Sequence, residues 1–147
     1  MITVTINRAS FARQMAKNEE FVIKKTSQLV RAIATQMRDA AKNNAPEPNG
    51  KNFSTGRLKN SIRLYGATKN SLNMRVSTSV PYAKYVEYGT GIYMRGGGGR
   101  RTPWRYLNRH IWKVMYTRGQ KPRYFMTNAF YRTLPKLENI ARGVFRW

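Results

Sequence analysis

The side chains that could carry acid–base or nucleophilic chemistry are few. Among 147 residues there are six Asp and Glu, one His and no Cys, against 28 Lys and Arg. Catalysis needs acids, bases or metal ligands held in a constellation. Here only Glu87 and His110 could form an acid–base pair, of the kind a small basic nuclease would use. His110 falls in an expected turn with no acid beside it, so no catalytic residue, metal ligand set or cofactor is expected. Without cysteine there is no disulfide framework and no thiolate metal site. Two other stretches have binding chemistry. Residues 94–101 read Met-Arg-Gly-Gly-Gly-Gly-Arg-Arg. Backbone N–H groups and guanidinium forks in such a run can wrap an anion. No Gly-Lys-Ser/Thr follows, so the run is not a nucleotide-binding P-loop; its plainer reading is an arm that orders on a neighbour. Next come Trp104, Tyr106, Trp112 and Tyr116, interleaved with Arg105, Arg109, Lys113 and Arg118. That mixture suits base stacking on a single strand and equally a protein interface.

The net charge is +22, with a pI near 11.2. Self-repulsion of that size calls for a polyanionic partner, nucleic acid or an acidic protein surface. Duplex DNA offers one negative charge per ~1.7 Å of axis. The basic residues are spread along the chain, which implies a charged face on a folded body. No nucleic-acid reader motif is present. The length allows one domain with a modest core, and 12% aromatic residues are too many for a disordered chain. No apolar run approaches 18 residues, so no membrane span is expected, and residues 1–6 lack the pattern of a secretory signal.

The elements that must position these residues follow from periodicity. Residues 80–89 predict a short aromatic helix: Pro81 presets its first turn, Tyr82, Tyr85 and Val86 share a face, and Gly89 stops it. Its Glu87 is expected to pair with an arginine. Earlier, Ile2, Val4 and Ile6 alternate as a strand. Phe11 and Met15 suggest a first helical piece, and Asn18 caps a second start, with Glu19 and Glu20 in its first turn. A stripe from Val22 to Ala41 then makes a long core helix over residues 18–42, with Leu29 and Ile33 fully buried. The helix should stop before Pro46. After a loop at 46–55, Thr55 caps a short turn through 58–61. Ile62 and Leu64, then Leu72, Met74 and Val76, form an antiparallel hairpin. A second hairpin pairs 103–106 with 111–117, turning at 107–110. Phe125, Ala129, Phe130, Leu134, Leu137, Ile140, Ala141 and Val144 make a C-terminal helical stripe that Pro135 kinks or restarts.

The run Pro81-Tyr82-Ala83-Lys84-Tyr85-Val86-Glu87-Tyr88-Gly89-Thr90-Gly91-Ile92-Tyr93 resembles the central signature of the head–tail joining proteins of tailed bacteriophages. These are also called neck or tail-completion proteins, the gene-product-ten-like minor virion proteins. Ala45-Pro46, then Thr55-Gly56-Arg57-Leu58-Lys59-Asn60-Ser61-Ile62, precede it in matching order. Gly98-Gly99-Arg100-Arg101-Thr102-Pro103-Trp104 and Thr117-Arg118-Gly119-Gln120-Lys121-Pro122-Arg123-Tyr124-Phe125-Met126 follow it. Two places depart from the pattern: Tyr124, where a Pro-Arg-Pro-Phe run is implied, and the looser approach at 50–53. The resemblance implies a small α+β domain, its long N-terminal and C-terminal helices packed on an antiparallel sheet, with a protruding Gly/Arg-rich loop and aromatic hairpin. Residues 1–147 would be one domain, with 91–121 used for assembly. It implies a non-enzymatic subunit of a ring, commonly sixfold, in the virion neck or at the top of the tail, assembled in the host cytoplasm. Connector or head-completion proteins would dock on one face and the tail terminator or tail tube on the other, with double-stranded DNA in the lumen. Arg100, Arg101, Arg118, Lys121 and Arg123 are the candidate DNA-facing residues. Tyr93, Met94, Trp104, Tyr106, Trp112 and Tyr116 are the candidate interface, and Gly56, Leu58, Ser61, Pro81, Tyr82, Tyr85, Glu87, Gly89 and Phe125 carry the structural motif. The alternative is a free-standing basic nucleic-acid-binding protein.

Overall fold

The computed structural model of the chain describes residues 8–46, 55–66, 68, 72–109 and 111–145. The expected first strand at residues 2–6, most of the loop at 46–55, His110, Arg146 and Trp147 lie outside those residues.

One helix dominates. α1 (Arg8–Asn44) runs unbroken for 37 residues, about 55 Å at 1.5 Å per residue. The expected start at Asn18 does not exist: the helix passes straight through it, and Glu19 and Glu20 sit in mid-helix. Its sequence has no Gly or Pro and is rich in Ala, Lys, Arg and Gln, so one mid-helix Asn costs too little to break it. The helix ends just before Ala45-Pro46, where the Ala45 N–H still reaches the Ala41 carbonyl at 3.0 Å.

The buried line of α1 is made of small residues, Ser27, Ala34 and Ala41, with Ala45 just past its end. Leu29 and Ile33, expected fully buried, are half-buried. Ala34 lies one residue on from Ile33, about 100° around the helix, and the small side chains there let other helices approach closely. Those helices are α4 (Phe125–Thr133) and α5 (Leu137–Val144), joined by a 3-10 turn at Leu134–Lys136 that contains Pro135. Phe130, about 100° around α4 from buried Ala129, is exposed, and so is Leu134, where the 3-10 turn, advancing about 120° per residue, puts the rest of the C-terminal stripe out of phase. Lys25 Nζ donates to the Val144 carbonyl at 2.8 Å, tying the far end of α5 to α1.

After α1, Gly56 turns the chain with φ 71 into α2 (Arg57–Ser61), where the Thr55 hydroxyl accepts from the Arg57 N–H. β1 (Ile62–Tyr65) pairs antiparallel with β2 (Arg75–Thr78), Ile62 opposite Thr78 and Tyr65 opposite Arg75. Leu72 and Met74 fall before β2 and not within it, and Leu72 is exposed. Gly66, at φ 77, turns the chain away as soon as Tyr65 has paired with Arg75, so the ladder stops there. The core gathers Ala41, Ala45, Leu58, Ile62, Val80, Ala83, Val86, Phe125 and Ala129, with Phe125 and Ile62 its largest fully buried side chains. This is a mixed α+β domain, with two separate two-stranded sheets among the described residues. α1 packs chiefly on α4, and the first sheet lies against α1.

Candidate functional site

The second sheet and its supports occupy residues 80–124. α3 (Ala83–Tyr88) follows a turn at Pro81 and Tyr82, in which the Ala83 N–H bonds the Val80 carbonyl. The face it buries is Ala83, Val86 and Glu87; Tyr82 and Tyr85, expected to share a face with Val86, are exposed. The helical period is as read, but the rotation is set by the acid.

Glu87 is 5% exposed. Its Oε2 accepts from the Met126 N–H and its Oε1 from the Thr127 N–H, each at 2.9 Å, and the Thr127 hydroxyl donates to Oε1 as well. Met126 and Thr127 are the second and third residues of α4, the positions an N-cap side chain normally serves. The carboxylate thus caps a helix 40 residues away in sequence and meets the positive end of its dipole. The expected arginine partner is replaced by backbone donors. The chain is also held by main-chain bonds: Arg123 N–H to the Val86 carbonyl at 2.9 Å, and Tyr124 N–H to the Glu87 carbonyl at 3.2 Å. Tyr124 adopts φ 50, ψ 37. Proline can neither take that φ nor donate that hydrogen bond.

Past α3, Gly89 turns with φ 76, and Thr90 and Gly91 cross the segment returning from the hairpin. Thr90 N–H bonds the Gln120 carbonyl at 2.9 Å and Ile92 N–H the Arg118 carbonyl at 3.0 Å. This crossing is backbone on backbone. A Cβ on Gly91 would lie 2.0 Å from the Arg118 carbonyl, one on Gly119 2.0 Å from the Thr90 carbonyl, and one on Gly99 2.0 Å from the Gly91 carbonyl. Three glycines therefore seat the second hairpin on the body. In the Gly/Arg run, Gly99 belongs to this seat, while Gly96, Gly97 and Gly98 face open space.

The hairpin pairs β3 (Trp104–Asn108) with β4 (Lys113–Thr117), Trp104 opposite Thr117 and Asn108 opposite Lys113. Leu107 and Asn108, expected in the turn, are in β3; the turn comes later, with Trp112 in it at φ 49. Its strands pack chiefly on each other. Trp112 is 76% exposed, Tyr116 73% and Val114 60%.

The candidate residues divide. Arg100, Arg101, Arg118, Lys121 and Arg123 are all exposed. Arg118, Lys121 and Arg123 follow one another along the returning segment, while Arg100 lies 5.7 Å over the Trp104 ring at the entry to β3. Lys121 Nζ sits 5.8 Å over Tyr93. Of the candidate interface, Trp104 is half-buried and Tyr93, Met94, Tyr106, Trp112 and Tyr116 are exposed. Strand alternation puts Trp104 and Tyr106 on one face and Tyr116 on the other, so the six do not form a single patch. Sequence reasoning passed over Leu107 and Val114, which pair across the hairpin, and Gly119. Among the described residues no group of three His, Cys, Asp or Glu could hold a metal, and no helix is long and apolar enough to cross a membrane.

A model of the family described as "Bacteriophage HK97-gp10, putative tail-component" matches residues 9–89, more than half of the chain. The chain belongs to the HK97-gp10-like family. No curated protein and no solved structure matches it. The HK97-gp10-like match spans nearly all of α1, then α2, the first sheet and α3 through Gly89, so it includes Glu87 but ends before the glycine seat, the hairpin and the helix that Glu87 caps. Membership in the HK97-gp10-like family gives the protein a structural role in a bacteriophage virion.

Proposed function

We propose that this protein is a ring-forming subunit of the phage neck, joining the DNA-filled head to the tail and leaving a channel for DNA. Residues 91–121 form the assembly element and the exposed cations line or approach the channel. The observation that carries this reading is the hairpin itself. A two-stranded ladder is marginal in water on its own, yet this one presents Leu107, Trp112, Val114 and Tyr116 to solvent from a rigid glycine seat. Such a surface gains stability when a neighbour covers it. The test is a phage lacking this protein: filled heads and separate tails should accumulate, and adding the purified protein to the lysate should join them. Joined, infectious particles in its absence would contradict the reading.

The alternative, a free-standing nucleic-acid-binding protein, draws support from the charge. Between Glu47 and Glu138 the sequence has one acid, Glu87, and its carboxylate is buried on a helix end. Among the described residues the exposed charge of this stretch is therefore cationic.

A further inference from the structure

α1 extends past the body. All ten residues from Arg13 to Val22 are exposed, and Lys25, which bonds the end of α5, comes after them. The exposed end is not a uniformly polar helix. Met15 and Val22, 54% and 56% exposed, stand seven residues apart on one face, with Glu19 between them. Together with Ile23 they line a shallow groove along the helix. The stripe continues the line of Leu29 and Ile33 into solvent, an apolar face with an acid in its middle. Glu19 has no ion-pair partner among the described residues.

The hairpin offers the complementary surface. Alternation along β3 and β4 puts Arg105, Leu107, Val114 and Tyr116 on one face, Leu107 opposite Val114 and Arg105 opposite Tyr116. It is an apolar centre with a cation at its edge, and Arg105 also has no ion-pair partner among the described residues.

Within one copy the two surfaces lie at opposite ends. The hairpin's return leads into α4, whose Phe125 carbonyl accepts from Asn44 Nδ2 at the C-terminal end of α1. From Asn44 back to Val22 is about 33 Å of helix; a five-residue strand reaches about 17 Å, and the segment from Arg118 to Tyr124 does not add to that reach, because it is bonded back onto residues 86–92. A contact between them is therefore a contact between copies.

We propose that the Arg105–Leu107–Val114–Tyr116 face of one copy docks on the Met15–Glu19–Val22 stripe of the next, with Arg105 against Glu19. The inference rests on the ring reading and names the two surfaces that make it. The patches are different, so the contact is head-to-tail, the kind that generates a ring when its rotation closes.

The absence of cysteine allows a direct test. Val22→Cys and Val114→Cys are made as separate variants, checked for native helicity by circular dichroism, and oxidised alone and mixed. The mixture should give a cross-linked dimer that neither variant gives by itself. In parallel, Glu19→Arg and Arg105→Glu should each lower the assembled mass in light scattering, and the two together in one chain should restore it. If the wild type assembles but the mixture cross-links no better than either variant alone, or the charge variants keep the wild-type mass, this contact is wrong and the ring reading stands. If the wild type stays a single copy at every concentration, the ring reading falls and this contact falls with it.

Discussion

Glu87 and Tyr124 hold the same junction, one through its side chain and the other through its backbone. Removing the Glu87 carboxylate leaves the Met126 and Thr127 N–H groups without an acceptor at a partly buried helix end. Glu87→Ala should therefore cost about 3 kcal/mol, in the range of charged hydrogen bonds and a lost cap. Glu87→Gln, which keeps one carbonyl acceptor, should cost less. Urea unfolding with an unchanged m-value measures both, and two melts equal to wild type would remove the cap from the account. At Tyr124 the expectation concerns backbone shape. Tyr124→Gly keeps the positive φ without strain and should stay within about 1 kcal/mol of wild type, whereas Tyr124→Pro should destabilise by about 3 kcal/mol or more. A proline variant as stable as the glycine variant would show that the junction does not need this conformation. Neither role was legible in the sequence. An isolated acid amid arginines reads as half of an ion pair, because backbone donors 40 residues away leave no pattern in side-chain types.

The secondary elements were more legible than their burial. The long helix, the aromatic helix, both hairpins and the divided C-terminal helix all follow from periodicity and from Gly and Pro. The burial of α1 did not, because its closest contacts are made by Ser27, Ala34 and Ala41 and not by its large residues. Small side chains carry little hydropathy signal, yet they decide how near α4 can come. In the Gly/Arg run, composition alone could not separate Gly99, pressed on Gly91, from Gly96, Gly97 and Gly98 in open space. That difference makes a prediction about the hairpin as a unit. Gly91→Ala forces a Cβ into the Arg118 carbonyl and should unseat the hairpin, while Gly97→Ser meets no neighbouring atom and strains only its own turn. Limited proteolysis should cut the Gly91→Ala protein within residues 89–120 far faster than wild type, with far-UV helicity kept. Equal cutting rates would mean that the glycine crossing does not hold the hairpin.

For the whole molecule, charge and exposed apolar surface ask for different partners. The hairpin asks for another protein, and in this account for another copy. The cations ask for a polyanion, and around a ring they would form a band suited to holding DNA through its phosphates without sequence preference. If Arg100, Arg101, Arg118, Lys121 and Arg123 supply that band, duplex affinity should fall steeply with salt, each contact contributing about −0.9 to the logarithmic slope. Replacing all five by alanine should weaken binding at low salt and flatten the slope. Equal, weak binding by both proteins would leave acidic neighbours in the virion as the reason for the charge. All of this depends on the protein closing on itself. The most direct measurement is the mass of the purified wild-type protein by light scattering, with negative-stain images of the same fraction. The account predicts one discrete mass that is a whole multiple of 17.1 kDa, with images of rings around an open centre. A mass of 17.1 kDa that persists as concentration rises would contradict it.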